Sequence, residues 1–204
     1  MKRIGIMGGT FNPIHVGHLL LAQGAMESEK LDEVWFVPTG CSYMKNFQDM
    51  VSPAERYEMT CLAVADNAHF KCCDIEIRRE GYTYSYETLE ALKKAYPKHQ
   101  FYFIFGADCL FSIESWKYPE RIFAASSIIA AVRGDTSLEE MEGKCLELKE
   151  KYGGDIRLFP FLNLEISSTD IRKRVCKGQS IRYLVPEEIR TYIEEKGFYK
   201  NEGK

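Results

Sequence analysis

The sequence lacks the features of a membrane or nucleic-acid-binding protein. No apolar run approaches the length of a membrane span, and the amino terminus passes through Lys2 and Arg3 into a short apolar run without a secretory pattern. The formal net charge is only −3, which disfavours a surface for polyanions, and the basic run at 172–174 is typical of a solvated helix face. We therefore expect a cytoplasmic protein without nucleic-acid or membrane partners.

Paired cysteine motifs and the common nucleotide-loop motifs are also missing. The seven cysteines, at 41, 61, 72, 73, 109, 145 and 176, include no CxxC pair and no regular spacing with histidine. Such a scattered set is typical of reduced thiols that fill cores, and structural zinc is not expected. Neither G-x-G-x-x-G nor G-x-x-x-x-G-K-[ST] follows the first apolar run, which disfavours dinucleotide-fingerprint and P-loop chemistry.

What the chain does contain is an alternation of short β-rich runs and segments with helical period. The β-rich runs lie at 3–7, 33–38, 70–77, 100–105, 127–132 and 156–161, and several are apolar almost throughout. The helical segments lie at 16–26, 53–65, 84–95, 138–152 and 186–196. A chain of 204 residues with 45% hydrophobic content can bury one sizeable core. The pattern predicts a single α/β domain over residues 1–204, a doubly wound, Rossmann-like parallel sheet with its ligand at the carboxyl ends of the strands.

Glycines and histidines follow the first predicted strand. Gly8 and Gly9 either form a tight turn or let backbone N–H groups approach a phosphate, because no Cβ stands in the way. His15 and His18 are one helical turn apart and project on the same side. A metal pair is one interpretation, although a third His, Asp or Glu ligand is missing nearby, and a core or capping role is another. Two imidazole donors at a helix start would also suit a polyphosphate.

These residues carry a family resemblance. "GGTFNPIHVGH" at 8–18 resembles the GGTFDPIHxGH signature of the nucleotidyltransferase superfamily with the T/HxGH element, and "ISSTDIR" at 166–172 is similar to its second signature, ISSTxIR. "FIFGADCLFSIESW" at 103–116 and "YTYSYETL" at 82–89 resemble the G-x-D…W and S-Y-T-x-D-T-L motifs of the bacterial nicotinate-nucleotide adenylyltransferases. The resemblance spans nearly the whole chain.

The resemblance implies transfer of AMP from ATP to nicotinate mononucleotide in NAD biosynthesis, with Mg²⁺ carried by ATP and no metal ligands in the protein. The alternatives are the amidated mononucleotide as acceptor, or another adenylyltransferase such as pantetheine-phosphate adenylyltransferase. A non-catalytic nucleotide-binding regulator and a metal-dependent hydrolase represent other classes. A homo-oligomer is left open.

The resemblance also implies roles for individual residues. The expected catalytic residues are His15, His18 and Arg172. The expected ATP-binding residues are Gly8, Gly9, Thr10, Phe11, Gly106, Asp108, Arg133, Ser167, Ser168 and Thr169. The expected contacts to the nicotinate nucleotide are Lys45, Tyr84, Ser85 and Trp116.

Structural roles compete with several of these assignments. Ser167 and Asp170 have the spacing of a capping box, and Asp108 could cap the helix after its strand. Trp116 could be a core aromatic, and Arg56 either matches a family arginine or pairs with acids on a helix surface. The chain also departs from the signatures at position 12, where asparagine replaces the usual aspartate, and in "VPTGCSYMKN", which keeps only the lysine of the usual P-P-H-K.

Overall fold

The computed structural model of the protein describes residues 1–42, 51–132, 137–162 and 164–200. The strands are β1 (Arg3–Gly9), β2 (Glu33–Pro38), β3 (Cys41–Ser42), β4 (Phe70–Cys72), β5 (Tyr82–Thr83), β6 (Gln100–Gly106), β7 (Ser127–Val132) and β8 (Ile156–Pro160). The helices are α1 (Val16–Glu29), α2 (Pro53–Val64), α3 (Ser85–Ala95), α4 (Ala107–Ser112), α5 (Pro119–Ala125), α6 (Leu138–Tyr152), α7 (Ser168–Cys176) and α8 (Glu187–Lys196), with a 3₁₀ turn at Ile113–Ser115. The predicted site residues Lys45 and Arg133 lie outside the described residues.

The main sheet has the strand order of a doubly wound fold. Over the described residues its order is β4-β2-β1-β6-β7-β8, and a separate two-stranded sheet pairs β3 with β5. The chain builds outward from β1 in one direction and then from β6 in the other, so the order switches between these two strands, where ligands of such sheets bind. The predicted α/β, Rossmann-like parallel sheet is confirmed.

The chain divides into two compact units, and the first contains Met1–Gly8, Leu21–Trp35 and Tyr84–Asn163. In this unit β1, β6, β7 and β8 pair in parallel, with Ile6 opposite Phe103 and Ile104 opposite Ile129. The middle strands β6 and β7 are almost wholly apolar and buried, as strands covered on both faces must be. Their parallel direction brings the carboxyl-terminal ends of β1 and β6, which include Gly8 and Gly106, to one edge of the sheet.

The second unit contains Gly9–Leu20, Phe36–Thr83 and Leu164–Lys204. It includes the loop after β1, the helices α2, α7 and α8, and the β3–β5 pair. Helix α2 begins with a complete capping box between Ser52 and Glu55 and has Pro53 in its first turn, which explains its sharp start. The prediction of one domain over residues 1–204 stays a prediction.

The third predicted strand, at 70–77, is too long. Strand β4 ends at Cys72, because the chain enters a turn that begins at Asp74. The Arg78 N–H donates to the Asp74 carbonyl at 3.0 Å, and the two side chains form an ion pair. The alternating apolar residues therefore belong partly to a turn. Among the helices that the structure describes, none is long and apolar enough to cross a membrane.

Candidate active site

The loop that follows β1, residues 9–15 and here named the signature loop, is built around Phe11. Phe11 has a positive φ of 48°, an uncommon conformation for a residue other than glycine, and its ring is 2% exposed. The ring meets the His18 ring edge-on at 5.0 Å between centroids. A Cβ on Gly9 would lie 2.7 Å from the Phe11 ring, so packing alone requires glycine there. Because its side chain is buried, Phe11 can serve a ligand only through its backbone.

Two residues of the second signature hold the signature loop by its carbonyl oxygens. Ser168 donates its hydroxyl hydrogen to the Pro13 carbonyl at 2.9 Å. Arg172 donates from Nη1 to the Asn12 carbonyl, also at 2.9 Å. The two sequence signatures, far apart along the chain, therefore meet within one unit.

Arg56 holds the same loop from α2. Its side chain is completely buried and donates to the carbonyls of Thr10, Thr39, Gly40 and Val51, at distances between 2.6 and 3.2 Å. Burial lowers the pKa of Arg56. The alternative in which this residue forms an ion pair on a helix surface is wrong, because the guanidinium faces inward and serves backbone acceptors.

The two histidines stack at the start of α1. Their ring centroids lie 3.6 Å apart with an interplanar angle of 24°, and His15 is only 6% exposed. The backbone N–H of His15 donates to Nδ1 of His18 at 3.2 Å. Because Nδ1 accepts this bond, the ring proton of His18 lies on Nε2, which makes that atom a hydrogen-bond donor.

Helix α7 begins at the second signature. Ser167 is its N-cap and accepts from the Asp170 N–H at 3.1 Å, which confirms the predicted capping contact. The Asp170 carboxylate instead pairs with Arg174 at 2.8 Å, so the reciprocal half of the box is replaced by an ion pair. Thr169 is exposed and accepts from Nη2 of Arg172 at 3.4 Å.

Tyr199 is a residue of this region that sequence reasoning missed. Its hydroxyl donates to Oδ1 of Asn12 at 2.7 Å. Burial raises the pKa of Tyr199, while the positive charges of Arg172 and Arg56 act in the opposite direction. A tyrosine is protonated at neutral pH even without this rise, so the phenol is available as a donor. No motif marks this tyrosine, because its partner lies 187 residues away.

In the first unit, Gly106 ends β6 and is the N-cap of α4. Asp108 lies exposed in the first turn of α4 and does not cap it, so the capping alternative for Asp108 is wrong. The half-buried Trp116 ring packs against Phe103 at 6.1 Å and Phe105 at 6.2 Å between centroids. Trp116 is therefore anchored to the end of β6.

Tyr84 and Ser85 start α3 in the same unit, and both are half-buried. The Tyr84 ring stacks on Tyr86 at 5.9 Å between centroids. Lys117, the neighbour of Trp116, lies with Nζ 4.4 Å from the centroid of the Tyr84 ring. Sequence reasoning missed this lysine. It follows Trp116 in the chain and places a positive charge over the Tyr84 ring.

These side chains supply donors rather than a metal-binding set. Within the described ranges, no group of three His, Cys, Asp or Glu residues could hold a metal ion. Around the signature loop the polar groups are imidazoles, hydroxyls and guanidinium groups, beside the first turns of α1 and α7. Such donors bind anions, and helix starts add partial positive charge.

Comparison with known proteins agrees with this chemistry. Residues 6–174 match the family described as cytidylyltransferase-like. A protein of Lachnoclostridium phytofermentans, named a probable nicotinate-nucleotide adenylyltransferase, is 45% identical over 199 residues, which cover 98% of this chain and 100% of the relative. A Desulfitobacterium hafniense protein of the same name is 46% identical over 203 residues, with 98% of this chain and 96% of the relative covered.

Solved structures share the fold. Plasmodium falciparum nicotinic acid mononucleotide adenylyltransferase complexed with NaAD has a TM-score of 0.81 at 23% identity, with 98% of each chain covered. The same enzyme complexed with APC has a TM-score of 0.79 at 22% identity and the same coverage. By sequence match and signature residues, the chain belongs to the cytidylyltransferase-like family and, within it, to the nicotinate-nucleotide adenylyltransferases.

Proposed function

We propose that this enzyme transfers AMP from ATP to nicotinate mononucleotide, which yields nicotinate adenine dinucleotide and pyrophosphate in NAD biosynthesis. The observation that supports the proposal most strongly is the contact between the two signatures. Ser168 and Arg172 bind carbonyls of residues 155 and 160 positions away, within the loop that leads to the stacked histidines. Family membership gives the reaction, and this cluster supplies donors for its phosphates.

The chemistry needs alignment and charge neutralisation rather than a general base. A phosphate oxygen of nicotinate mononucleotide attacks the α-phosphorus of ATP, and the bond from that phosphorus to the bridging oxygen of pyrophosphate breaks. The attacking phosphate is already largely ionised at neutral pH. Catalysis then rests on holding the two phosphates in line and on stabilising the charge that grows on the leaving group. When bound with ATP, Mg²⁺ would supply positive charge that offsets part of this negative charge.

We assign the phosphates to residues of the two signatures. His18 would donate from Nε2, because its Nδ1 already accepts from the His15 backbone. Arg172 has five N–H donors and uses one for the Asn12 carbonyl, so it can serve the loop and a phosphate together. The remaining proposed ATP contacts are His15, Gly8, Gly9, Thr10, the Phe11 backbone, Ser167, Ser168 and Thr169.

For the nucleosides, we propose that the exposed carboxylate of Asp108, two residues after Gly106, accepts hydrogen bonds from a ribose. Trp116 offers a flat face to the pyridine ring, and the start of α3 at Tyr84 and Ser85 offers donors to the nicotinate carboxylate. Lys117 adds a positive charge beside Tyr84, which favours the acid over the amide. The roles of Arg133 and Lys45 and the cytoplasmic location stay predictions, and a homo-oligomeric state is left open.

The test is pyrophosphate release from ATP and Mg²⁺ with nicotinate mononucleotide or its amide as acceptor. We expect release with the acid, and a His18→Ala variant should be slower by about 100-fold to 1,000-fold, the cost of losing one donor to a developing charge. His69→Ala, which changes an exposed histidine on another part of the chain, is the matched control. Equal rates for His18→Ala and the wild type would refute the proposed role of His18. No release with either acceptor would refute the function.

A further inference from the structure

We propose that Tyr199 is a positioning residue for the adenylyl transfer, because its hydroxyl holds Asn12 and, through Asn12, the signature loop. The inference rests on the proposed function. It adds a residue from the carboxyl-terminal segment, outside both signatures, to the groups on which the reaction depends.

The contact is short and its acceptor is buried. Tyr199 donates to Oδ1 of Asn12 at 2.7 Å, and Asn12 is only 4% exposed. A buried amide oxygen that loses its donor carries a desolvation cost that water cannot relieve. The Asn12 side chain therefore depends on the phenol for a defined orientation.

Asn12 accepts two hydrogen bonds, and one of them comes from Arg172, a proposed catalytic residue. Its side chain accepts from Tyr199, while its backbone carbonyl accepts from Nη1 of Arg172. The neighbouring Pro13 carbonyl accepts from Ser168. A shift of Asn12 would therefore move the carbonyl that orients Arg172, and a displacement of this kind changes the alignment of reacting phosphates.

The end of helix α8 positions Tyr199 next to Asn12. Helix α8 stops at Gly197, whose φ of 67° is the left-handed C-cap conformation. The Phe198 N–H donates back to the Ile193 carbonyl at 3.1 Å, and the Phe198 ring contacts Tyr192 at 5.9 Å between centroids. Phe198 is thus fastened to α8, and Tyr199 follows directly.

The experiment compares two tyrosine-to-phenylalanine variants from the same end of the chain. Tyr199→Phe removes the hydroxyl that binds Asn12, and Tyr192→Phe removes a hydroxyl that donates to Glu58. We expect Tyr199→Phe to lower kcat about tenfold, with KM for ATP and for nicotinate mononucleotide changed less than about threefold, because alignment rather than binding is lost. Tyr192→Phe should retain the wild-type kcat.

A double-mutant cycle separates positioning through Asn12 from a general structural effect. If Tyr199 acts through Asn12, the loss of kcat in Tyr199→Phe and the loss in Asn12→Ala will not add in the double variant. Additive losses, or a wild-type kcat in Tyr199→Phe, would overturn the inference. A kcat loss of the same size in Tyr192→Phe would also overturn it, because the effect would then come from the whole segment.

If Tyr199→Phe does not fold, variants of the acceptor Asn12 test the same contact. Asn12→Ala removes Oδ1, whereas Asn12→Asp keeps an acceptor for the phenol. A large kcat loss in the alanine variant that the aspartate variant mostly restores supports the inference, and an unchanged kcat in the alanine variant overturns it. Failure of the wild type to form the dinucleotide would refute the proposed function itself, and the inference with it.

Discussion

At the scale of single residues, hydrogen bonds to its carbonyl oxygens hold the signature loop in place. Arg56, Ser168 and Arg172 each donate to one carbonyl of the loop, and Tyr199 donates to the Asn12 side chain. Donors of this kind fix backbone orientation, because a carbonyl that is removed from water is costly to leave without a partner. The loop that we propose for phosphate binding is therefore held in place by contacts within the protein.

Arg56→Lys tests this account of the loop. A lysine carries one ammonium group and cannot span the Thr10, Thr39 and Gly40 carbonyls that the guanidinium joins. We expect the free energy of unfolding to fall by about 2 to 4 kcal/mol, since buried acceptors that lose their donor cost about 1 to 3 kcal/mol each. Urea denaturation measures this difference. Arg182→Lys, at an exposed position, should stay within about 0.5 kcal/mol of the wild type.

An unchanged unfolding midpoint for Arg56→Lys would show that water or the lysine satisfies these carbonyls, which would contradict the account of the loop.

Lys117 gives a residue-scale prediction about acceptor choice. Lys117→Met keeps the length of the side chain but removes the charge beside Tyr84. If this charge helps to select the nicotinate carboxylate, the ratio of kcat/KM for the acid to kcat/KM for the amide should fall by about tenfold, equivalent to about 1.4 kcal/mol. Steady-state rates with both acceptors measure the ratio. Lys98→Met, at an exposed position, is the control, and an equal ratio in all three proteins would exclude Lys117 from selectivity.

At the scale of elements, the sequence predicts strands well where they are short, apolar and covered. Strands β2 and β7 have the predicted bounds, and β6 differs by one residue. These runs are easy to recognise because a strand covered on both faces is apolar at nearly every position. The bounds of the two helices between β6 and β7 were not predicted, since α4 and α5 span only 6 and 7 residues and present too few turns for a periodic pattern. Strand β4 was overextended because a turn at Asp74 carries alternating apolar residues.

A carboxylate of the 3₁₀ turn that precedes Trp116 links that element to α6. Glu114 accepts from Lys144 at 2.5 Å and from Lys151 at 2.6 Å. The hydrogen bonds from Lys144 and Lys151 lower the pKa of Glu114 from 4.5 to about 2. Because the folded-state pKa is depressed, the ionised carboxylate stabilises the fold above its ordinary pKa. That stabilisation is lost as the pH falls from about 4.5 towards about 2.

Glu114→Gln should therefore lower the melting temperature at neutral pH, and its difference from the wild type should shrink as the pH falls through that window. Thermal melts at a series of pH values measure both trends, with Glu120→Gln at an exposed position as the control. A difference that stays constant down to pH 2 would show that the ion pairs around Glu114 do not contribute to stability.

At the scale of the whole molecule, the sequence predicts the motif residues of the candidate site better than the long-range contacts that hold them. The glycines, histidines and ISSTDIR residues are recognisable because each lies in a continuous motif. The supporting contacts of Arg56 and Tyr199 are not, since they reach the signature loop across 46 and 187 positions and leave no local pattern. Lys117 was missed for a similar reason, because its partner Tyr84 lies in another segment. The long-range packing that orients a motif has to come from the structure.

The most direct test of the central claim follows the oxygen atoms of the acceptor. The wild-type enzyme is supplied with ATP, Mg²⁺ and nicotinate mononucleotide whose phosphate carries heavy oxygen at its non-bridging positions, and both products are weighed by mass spectrometry. Attack of that phosphate on the α-phosphorus predicts that every labelled oxygen is retained in nicotinate adenine dinucleotide and that pyrophosphate is unlabelled. Label in pyrophosphate, or the absence of the dinucleotide, would contradict the proposed reaction.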